Sequence, residues 1–238
     1  MRRTITYILF AIILLPLLLW SKIILLDIPT LRYANPSTSS YMKSSESSAR
    51  LHWTSFEDLP LFLRQAIVVA EDAKFYQHQG IDFSALRQAL EVNFKRNRYA
   101  RGGSTITMQL ARNLYLSPHK TMFRKLREII LAAYMEQILS KERILECYLN
   151  LIEFAPNIFG VENAAQHYFH QSLQSLNRKE LAFLVAIIPS PAKWGRLPAG
   201  EYVQKRMNTI LARAGYATPL PEIQHEEDEG LESFYSSP

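Results

Sequence analysis

Two short stretches of this 238-residue chain combine residues that could carry out chemistry. The first places the carboxylates of Glu71 and Asp72 directly after an apolar run at 66–70. The second, at 102–109, begins with a glycine pair at the predicted start of a helix. Such a helix start can present backbone N–H groups to an anion. A carboxylate base beside an anion site suggests transfer of a group from a phosphate-bearing donor.

Glu71 is the first candidate for a general base. Within about one helical turn of it lie the apolar residues Ile67, Val68 and Phe75, so we expect its carboxylate to be partly desolvated at a cleft wall. Burial raises the pKa of a carboxyl group toward the range in which it accepts a proton near neutral pH. The alternative is a structural role, as a helix cap or in a surface ion pair with Lys74.

Glu128 is the second carboxylate of interest, because it follows a stretch, residues 92–127, that holds nine Lys or Arg residues and no acid. We expect an anionic partner at such a stretch. An ordinary surface ion pair with Arg124, four residues earlier on the same helix, is the alternative role for Glu128. Aromatic residues among the cations would also suit a nucleic acid, but a domain held outside the cytoplasm argues against that partner.

The composition divides the chain into segments. Residues 4–26 form a long, mostly apolar run that as a helix would extend about 35 Å, enough to cross a bilayer, with residues 1–3 in the cytoplasm. Residues 27–50 are Ser-rich and are predicted to be a tether. The folded domain is predicted at 51–217, followed by an acidic tail at 218–238 that we expect to be disordered. A cleaved signal peptide is the alternative to an anchor, but no Ala-x-Ala site follows the run.

Helical periodicity dominates the folded domain, and the predicted fold class is all-α. Ser104 is expected to cap a helix that ends near Tyr115. No stretch shows the alternation of a half-buried strand. The single cysteine, Cys147, lies in an apolar helical pattern and is expected to be a buried structural residue. The predicted helices cover roughly 60–75, 84–97, 104–115, 121–139, 141–150, 160–170, 178–188 and 201–213.

Several motifs occur together in an order typical of one family. They are Glu71-Asp72-x-x-Phe75-x-x-His78-x-Gly80, Gly102-Gly103-Ser104-Thr105-Ile106-Thr107-Met108-Gln109, Arg124-Lys125-x-x-Glu128 and Lys141-x-x-Ile144-Leu145-Glu146-x-Tyr148-Leu149-Asn150. With these motifs the chain resembles the monofunctional biosynthetic peptidoglycan transglycosylases, membrane-anchored members of glycosyltransferase family 51. The resemblance covers roughly residues 55–200.

This resemblance implies a lysozyme-like helical lobe with a small hydrophobic lobe at the membrane, on the outer, periplasmic side of a bacterial inner membrane. It implies polymerisation of lipid II into β-1,4-linked glycan strands with release of undecaprenyl diphosphate. Glu71 would deprotonate the acceptor 4-hydroxyl, and Glu128 would help to organise the leaving group. The implied partners are lipid II, the growing glycan strand, membrane lipid and other cell-wall synthesis and division proteins, with no nucleic acid.

The motifs also imply roles for other residues. Substrate binding is implied for Gly103, Ser104, Thr105, Gln109, Arg112, Lys120, Arg124 and Lys125. A structural role, holding the turn after the Glu71 helix, is implied for Asp72, Phe75, His78 and Gly80. No tightly bound cofactor is expected, and a divalent cation such as Mg or Mn at the diphosphate is left open, with its ligands unknown.

The sequence departs from the family's motifs at three site positions. Met108 stands where the first of two glutamines is usual, and Arg112 and Lys120 exchange the usual cation types. Two other functions stay open: a lysozyme-like lytic enzyme that cleaves peptidoglycan, and a membrane-tethered scaffold of the cell-wall machinery with weakened catalysis. The acid-free basic stretch argues against the first, which needs no diphosphate site. The presence of Glu71 and Glu128 argues against the second.

Overall fold

The computed structural model describes residues 20–44, 50–95, 102–117 and 121–214. Helices dominate this part of the chain, in agreement with the predicted helical class. They are α1 (Ser40–Ser44), α2 (Leu61–Glu71), α3 (Phe83–Lys95), α4 (Ile106–Tyr115), α5 (Met122–Ile138), α6 (Lys141–Leu151), α7 (Val161–Phe169), α8 (Arg178–Ile187), α9 (Pro191–Trp194) and α10 (Glu201–Ala214). Shorter helical pieces are a π-helical segment Ile23–Asp27, a turn Ile28–Thr30 and a 3-10 turn Leu173–Ser175.

One short hairpin departs from the all-α prediction. Strand β1 (Glu153–Ala155) pairs antiparallel with β2 (Ile158–Phe159). Asn157, in the turn between them, adopts a left-handed backbone conformation with φ of 65°. Strands of three and two residues are too short to show an alternating pattern, so the sequence prediction missed them.

The start of α4 also differs from the prediction. Thr105, and not Ser104, is the N-cap: its hydroxyl oxygen accepts the N–H of Met108 at 3.1 Å. The same hydroxyl donates to the carbonyl oxygen of Gly80 at 2.6 Å. Gly80 has φ of 86°, and an added Cβ would lie 2.7 Å from the carbonyl oxygen of Ala132, so only glycine fits there. The start of α4 is therefore tied to the loop that precedes α3.

Two groups of helices build the core. Helix α4 packs against α5 and α6, while α2 packs against α8 and α10, which also pack against each other. Asp72, directly after α2, accepts the N–H of Ile106, the first residue of α4, so the end of α2 lies where the two groups meet. Cys147 of α6 is buried as predicted, and burial raises the pKa of its thiol to about 12.

Part of the segment predicted to be a tether packs onto the helical body. Ile28, Leu31 and Met42 are buried. Arg143 of α6 donates hydrogen bonds to the carbonyl oxygens of Leu31 and Ala34, at 2.7 and 3.0 Å. The periodicity of so short a segment is too weak to reveal this docking, which depends on an arginine far along the chain.

The predicted membrane anchor and acidic tail fall mainly or wholly outside the described residues. Of the anchor at 4–26, only residues 20–26 are described, and residues 1–3 and 218–238 are not. No helix within the described part of the chain combines the length and the apolar character needed to cross a membrane.

Candidate active site

Glu71 is the last residue of α2, and hydrogen bonds from two other helices hold its carboxylate. Its Oε1 accepts from Nη2 of Arg206 at 2.7 Å, and its Oε2 accepts from Nε2 of Gln109 at 3.1 Å. Arg206 belongs to α10 and Gln109 to α4, so the carboxylate lies between the two helix groups. Lys74, the alternative partner suggested by the sequence, donates instead to the hydroxyl of Ser84 at 3.0 Å.

Tyr148 of α6 orients the side chain of Gln109. The tyrosine hydroxyl donates to Oε1 of Gln109 at 3.1 Å, which leaves the amide NH₂ facing Glu71. Tyr148 is fully buried, and this burial together with the charge of Glu71 raises its pKa well above the usual value. Tyr148 therefore stays protonated, and a chain of hydrogen bonds runs from it through Gln109 to the carboxylate.

Burial raises the pKa of Glu71 above the ordinary value for a glutamate. Its side chain is only 11% exposed. The loss of hydration outweighs the charge of Arg206, the hydrogen bond from Gln109 and the charge of Arg112, each of which lowers the pKa. The direction agrees with the sequence-based expectation, and such a carboxylate is suited to accept a proton near neutral pH.

Asp72 and His78 stabilise the loop after α2. Nε2 of His78 lies 2.9 and 3.0 Å from the two carboxylate oxygens of Asp72. One of these oxygens also accepts the N–H of Ile106. Phe75 is fully buried, and the ammonium of Lys141 lies 4.5 Å from the centre of its ring. Asp72 and His78 are thus in direct contact, and Asp72 also ties the loop to the start of α4.

Glu128 forms a second charged cluster, on α5. Nζ of Lys125 lies 2.9 Å from its Oε2, and Nε of Arg124 lies 3.3 Å from its Oε1. The side chain of Glu128 is 1% exposed, whereas that of Lys125 is 36% exposed. Lys125 also donates to the hydroxyl of Ser104, at 2.6 Å. The contact with Arg124 is largely buried, unlike the surface pair considered from the sequence. Lys125 is the cation that the cluster presents toward solvent.

Two backbone N–H groups in the first turn of α4 already have partners inside the protein. The N–H of Ile106 binds Asp72, and that of Met108 binds Thr105, so both are already satisfied inside the protein. Gly103 allows a close approach instead, because an added Cβ would lie 3.1 Å from the backbone of α3. An anion at this loop would therefore depend more on nearby cations than on these N–H groups.

The positions that depart from the family's motifs differ in their surroundings. Met108 is fully buried, so its side chain packs in the interior. Arg112 is half-buried and lies near enough to Glu71 to lower the pKa of its carboxyl group. Its buried Nε has no hydrogen-bond partner among the described residues. Lys120 lies outside the described residues.

Arg206 is the site residue that the sequence prediction missed. It lies 135 residues from Glu71, on a helix whose Glu201 and Lys205 form an ordinary exposed i,i+4 ion pair. Its side chain is 24% exposed, and nothing in the local spacing distinguishes it from the other cations of α10. Only the packing of α10 against α2 brings it to the carboxylate.

The described ranges contain no group of three or more His, Cys, Asp or Glu side chains placed to hold a metal ion. Both carboxylate oxygens of Glu128 already lie beside a cation, from Lys125 and Arg124. An Mg or Mn ion on Glu128 would lie close to both of these positive charges and would be repelled by them. These residues do not form a metal site by themselves.

Comparisons with known proteins identify the family. The family model described as Transglycosylase matches residues 38–215. The biosynthetic peptidoglycan transglycosylase of Nitrosospira multiformis is 41% identical over 78% of this chain and 85% of the relative. That of Nitrosomonas europaea is 42% identical over 82% and 84%, and that of Azoarcus sp. 38% identical over 86% and 92%. The chain therefore belongs to the transglycosylase family.

Proposed function

We propose that this protein polymerises lipid II into the β-1,4-linked glycan strands of peptidoglycan and releases undecaprenyl diphosphate. The observation that carries this proposal is the buried carboxylate of Glu71, held between Arg206 and Gln109 in a domain of the transglycosylase family. The names of the relatives support the same activity.

Glu71 is the general base of this reaction. Its carboxylate removes the proton of the acceptor's 4-hydroxyl as that oxygen attacks the anomeric carbon of the donor. The bond from this carbon to the diphosphate oxygen breaks, and its electron pair leaves with undecaprenyl diphosphate. Attack from the opposite face inverts the anomeric carbon, so no covalent enzyme intermediate is needed. The raised pKa of Glu71 improves its match to a hydroxyl proton at neutral pH.

The cluster of Arg124, Lys125 and Glu128 would stabilise the leaving group. Two cations against one carboxylate leave an excess positive charge, and Lys125 is the more exposed of the pair. A diphosphate that gains negative charge as the bond breaks is stabilised by such a preorganised cation. Glu128 would then act by holding the two cations in place, and Arg112 and Lys120 would add charge along the same substrate.

The contact between Arg206 and Glu71 favours a transferase over a lytic enzyme. A lysozyme-like hydrolase needs its catalytic glutamate protonated, as a general acid. Burial raises the pKa of Glu71, but the guanidinium 2.7 Å from its carboxylate limits this rise by favouring the ionised form. Attack by a hydroxyl group requires such a base. An inactive scaffold would need neither a general base nor a general acid.

The exposed face of α5 supports an association with the membrane surface. Phe123, Leu126 and Ile130 are 77, 55 and 47% exposed, and their spacing places them on one side of the helix. This face would belong to the small hydrophobic lobe, against the outer leaflet of the inner membrane, beside a lysozyme-like helical lobe. The apolar run at 4–26 would anchor the chain, with the catalytic domain on the periplasmic side.

Glycan-strand formation from labelled lipid II in detergent tests the proposal, with wild type and Glu71→Gln compared. We expect lysozyme-sensitive polymer from the wild type alone. Release of fragments from purified peptidoglycan, without polymer, would establish the lytic enzyme instead. If the wild type does neither under several detergent and metal conditions, the scaffold is the better explanation.

A further inference from the structure

We infer that Arg206 is a positioning residue for the reaction, which keeps the Glu71 carboxylate ionised and correctly oriented for the acceptor hydroxyl. This inference rests on the proposed role of Glu71 as the base. It extends the site to α10, which none of the motifs recognised in the sequence includes.

The geometry of the pair is that of a specific, largely buried contact. Nη2 of Arg206 lies 2.7 Å from Oε1 of Glu71, and the two side chains are 24% and 11% exposed. A charge-assisted hydrogen bond at this distance, shielded from water, is stronger and better oriented than an exposed ion pair. The buried Nε of Arg206 has no hydrogen-bond partner among the described residues. The guanidinium donates through Nη2 to Glu71.

The other groups around Glu71 do not replace this charge. From α4 come the neutral amide of Gln109 and the charge of Arg112, and from α6 comes the protonated hydroxyl of Tyr148. Arg112 acts on Glu71 through its charge, without a hydrogen bond between them in the described contacts. The neighbouring carboxylate, Asp72, contacts His78 and accepts the N–H of Ile106 at the start of α4.

Burial already outweighs the groups that lower the pKa of Glu71, and loss of Arg206 would remove the largest of these, so the pKa would rise further. A desolvated carboxyl group without a contacting cation binds a proton more tightly and cannot act as a base until the pH is higher. Orientation would suffer as well. Arg206 and Gln109 each occupy one position on a different carboxylate oxygen, which leaves the remaining lone pairs for the acceptor hydroxyl.

Three substitutions at Arg206 in the full chain separate charge from hydrogen bonding. Arg206→Met removes both, Arg206→Gln keeps a donor without charge, and Arg206→Lys keeps the charge without the planar fork. Arg213→Met, at an exposed arginine on the same helix, is the matched control. The measurement is the pH dependence of kcat and kcat/KM for lipid II polymerisation, from mildly acidic to mildly alkaline pH.

We expect the acidic limb of both profiles to move to higher pH by about one unit or more in Arg206→Met and Arg206→Gln. At neutral pH their kcat should fall about tenfold or more, with recovery toward wild type as the pH rises. Arg206→Lys should shift the limb less. KM should change less than kcat, and Arg213→Met should match the wild type.

An equal loss of activity at every pH, or an unshifted profile, in variants that unfold at the wild-type temperature would overturn the inference. If Arg206→Met fails to fold, the comparison of Arg206→Lys with Arg206→Gln still decides, because the two differ in charge. Polymer from the wild type with unshifted variants refutes only the role of Arg206. A wild type that makes no polymer refutes the proposed function and this inference with it.

Discussion

Glu71 and Glu128 are both largely shielded from solvent, and the protein stabilises their carboxylates in different ways. Glu128 takes both of its cations from its own helix, Arg124 four residues and Lys125 three residues earlier. Glu71 takes Arg206 from a helix 135 residues away and Gln109 from a third helix. The first cluster is thus largely a property of one helix, and the second exists only where two groups of helices meet.

This difference matches the chemistry proposed for each residue. A carboxylate that holds two cations in place needs fixed partners, and i,i+3 and i,i+4 spacing supplies them locally. For a general base, the loss of hydration must outweigh the nearby positive charge only in part. Its pKa then rises, but the ionised carboxylate is still present near neutral pH. The contacts of Glu71 with two other helices, α10 and α4, allow that balance to be adjusted. We therefore expect substitution of Glu71 to reduce chiefly activity, and substitution of Glu128 to reduce chiefly stability.

The largest expected effect is on activity, from Glu71→Gln. Loss of a general base should lower kcat by about 10²- to 10⁴-fold, because the amide cannot accept the hydroxyl proton. The rate of polymer formation from labelled lipid II measures it. Glu57→Gln, at an exposed glutamate, is the matched control and should retain wild-type activity. Substantial polymer formation by Glu71→Gln would contradict the role of Glu71 as the base, and with it the proposed functional difference between the Glu71 and Glu128 clusters.

Glu128→Gln should chiefly reduce stability. It leaves Lys125 and Arg124 without a buried counter-charge, and we expect a loss of about 2 kcal/mol in the free energy of unfolding. That is less than the roughly 3–5 kcal/mol typical of a fully buried pair, because Lys125 reaches solvent. Denaturant unfolding in detergent measures it. The control is Glu91→Gln, which breaks the exposed Arg87–Glu91 pair and should cost less than about 0.5 kcal/mol.

The pH dependence of stability should distinguish Glu71 from its amide variant. Because the folded protein raises the pKa of Glu71, it binds the proton more tightly than the unfolded chain does. The wild type should therefore lose stability relative to Glu71→Gln as the pH rises from the ordinary value of 4.5 through the raised pKa. Unfolding free energies of both proteins across this range measure the difference. Parallel curves would contradict a raised pKa.

The smallest expected effect is that of Thr105→Val, which alters the start of the helix between the two clusters. It removes the cap on Met108 and the hydrogen bond to Gly80, and should cost about 1–2 kcal/mol. Thr105→Ser keeps the hydroxyl and should cost less. Thermal unfolding compares them. We expect kcat to change much less than in Glu71→Gln, because Thr105 does not contact the base.

The sequence predicted the helices well where caps and apolar periodicity act locally. The ends of α5 and α6 lie within one or two residues of the predicted limits, since Thr121 and Ser140 cap the two helices. The prediction failed where tertiary contacts decide. Ser104 was expected to cap α4, but its hydroxyl accepts from Lys125 and the adjacent Thr105 takes the cap. The hairpin and the docked segment at 28–44 depend in the same way on distant partners.

What the sequence determined by itself is the helical class, the two candidate glutamates and the local pairing of Glu128 with the cations before it. Each is encoded within a few residues, by periodicity or by helical spacing. Only the tertiary structure decided that Met108 is buried, that the N–H of Ile106 is already bound to Asp72, and that Arg206 holds Glu71. Contacts between residues so far apart leave no periodic signal, because they arise only when separate helices pack together.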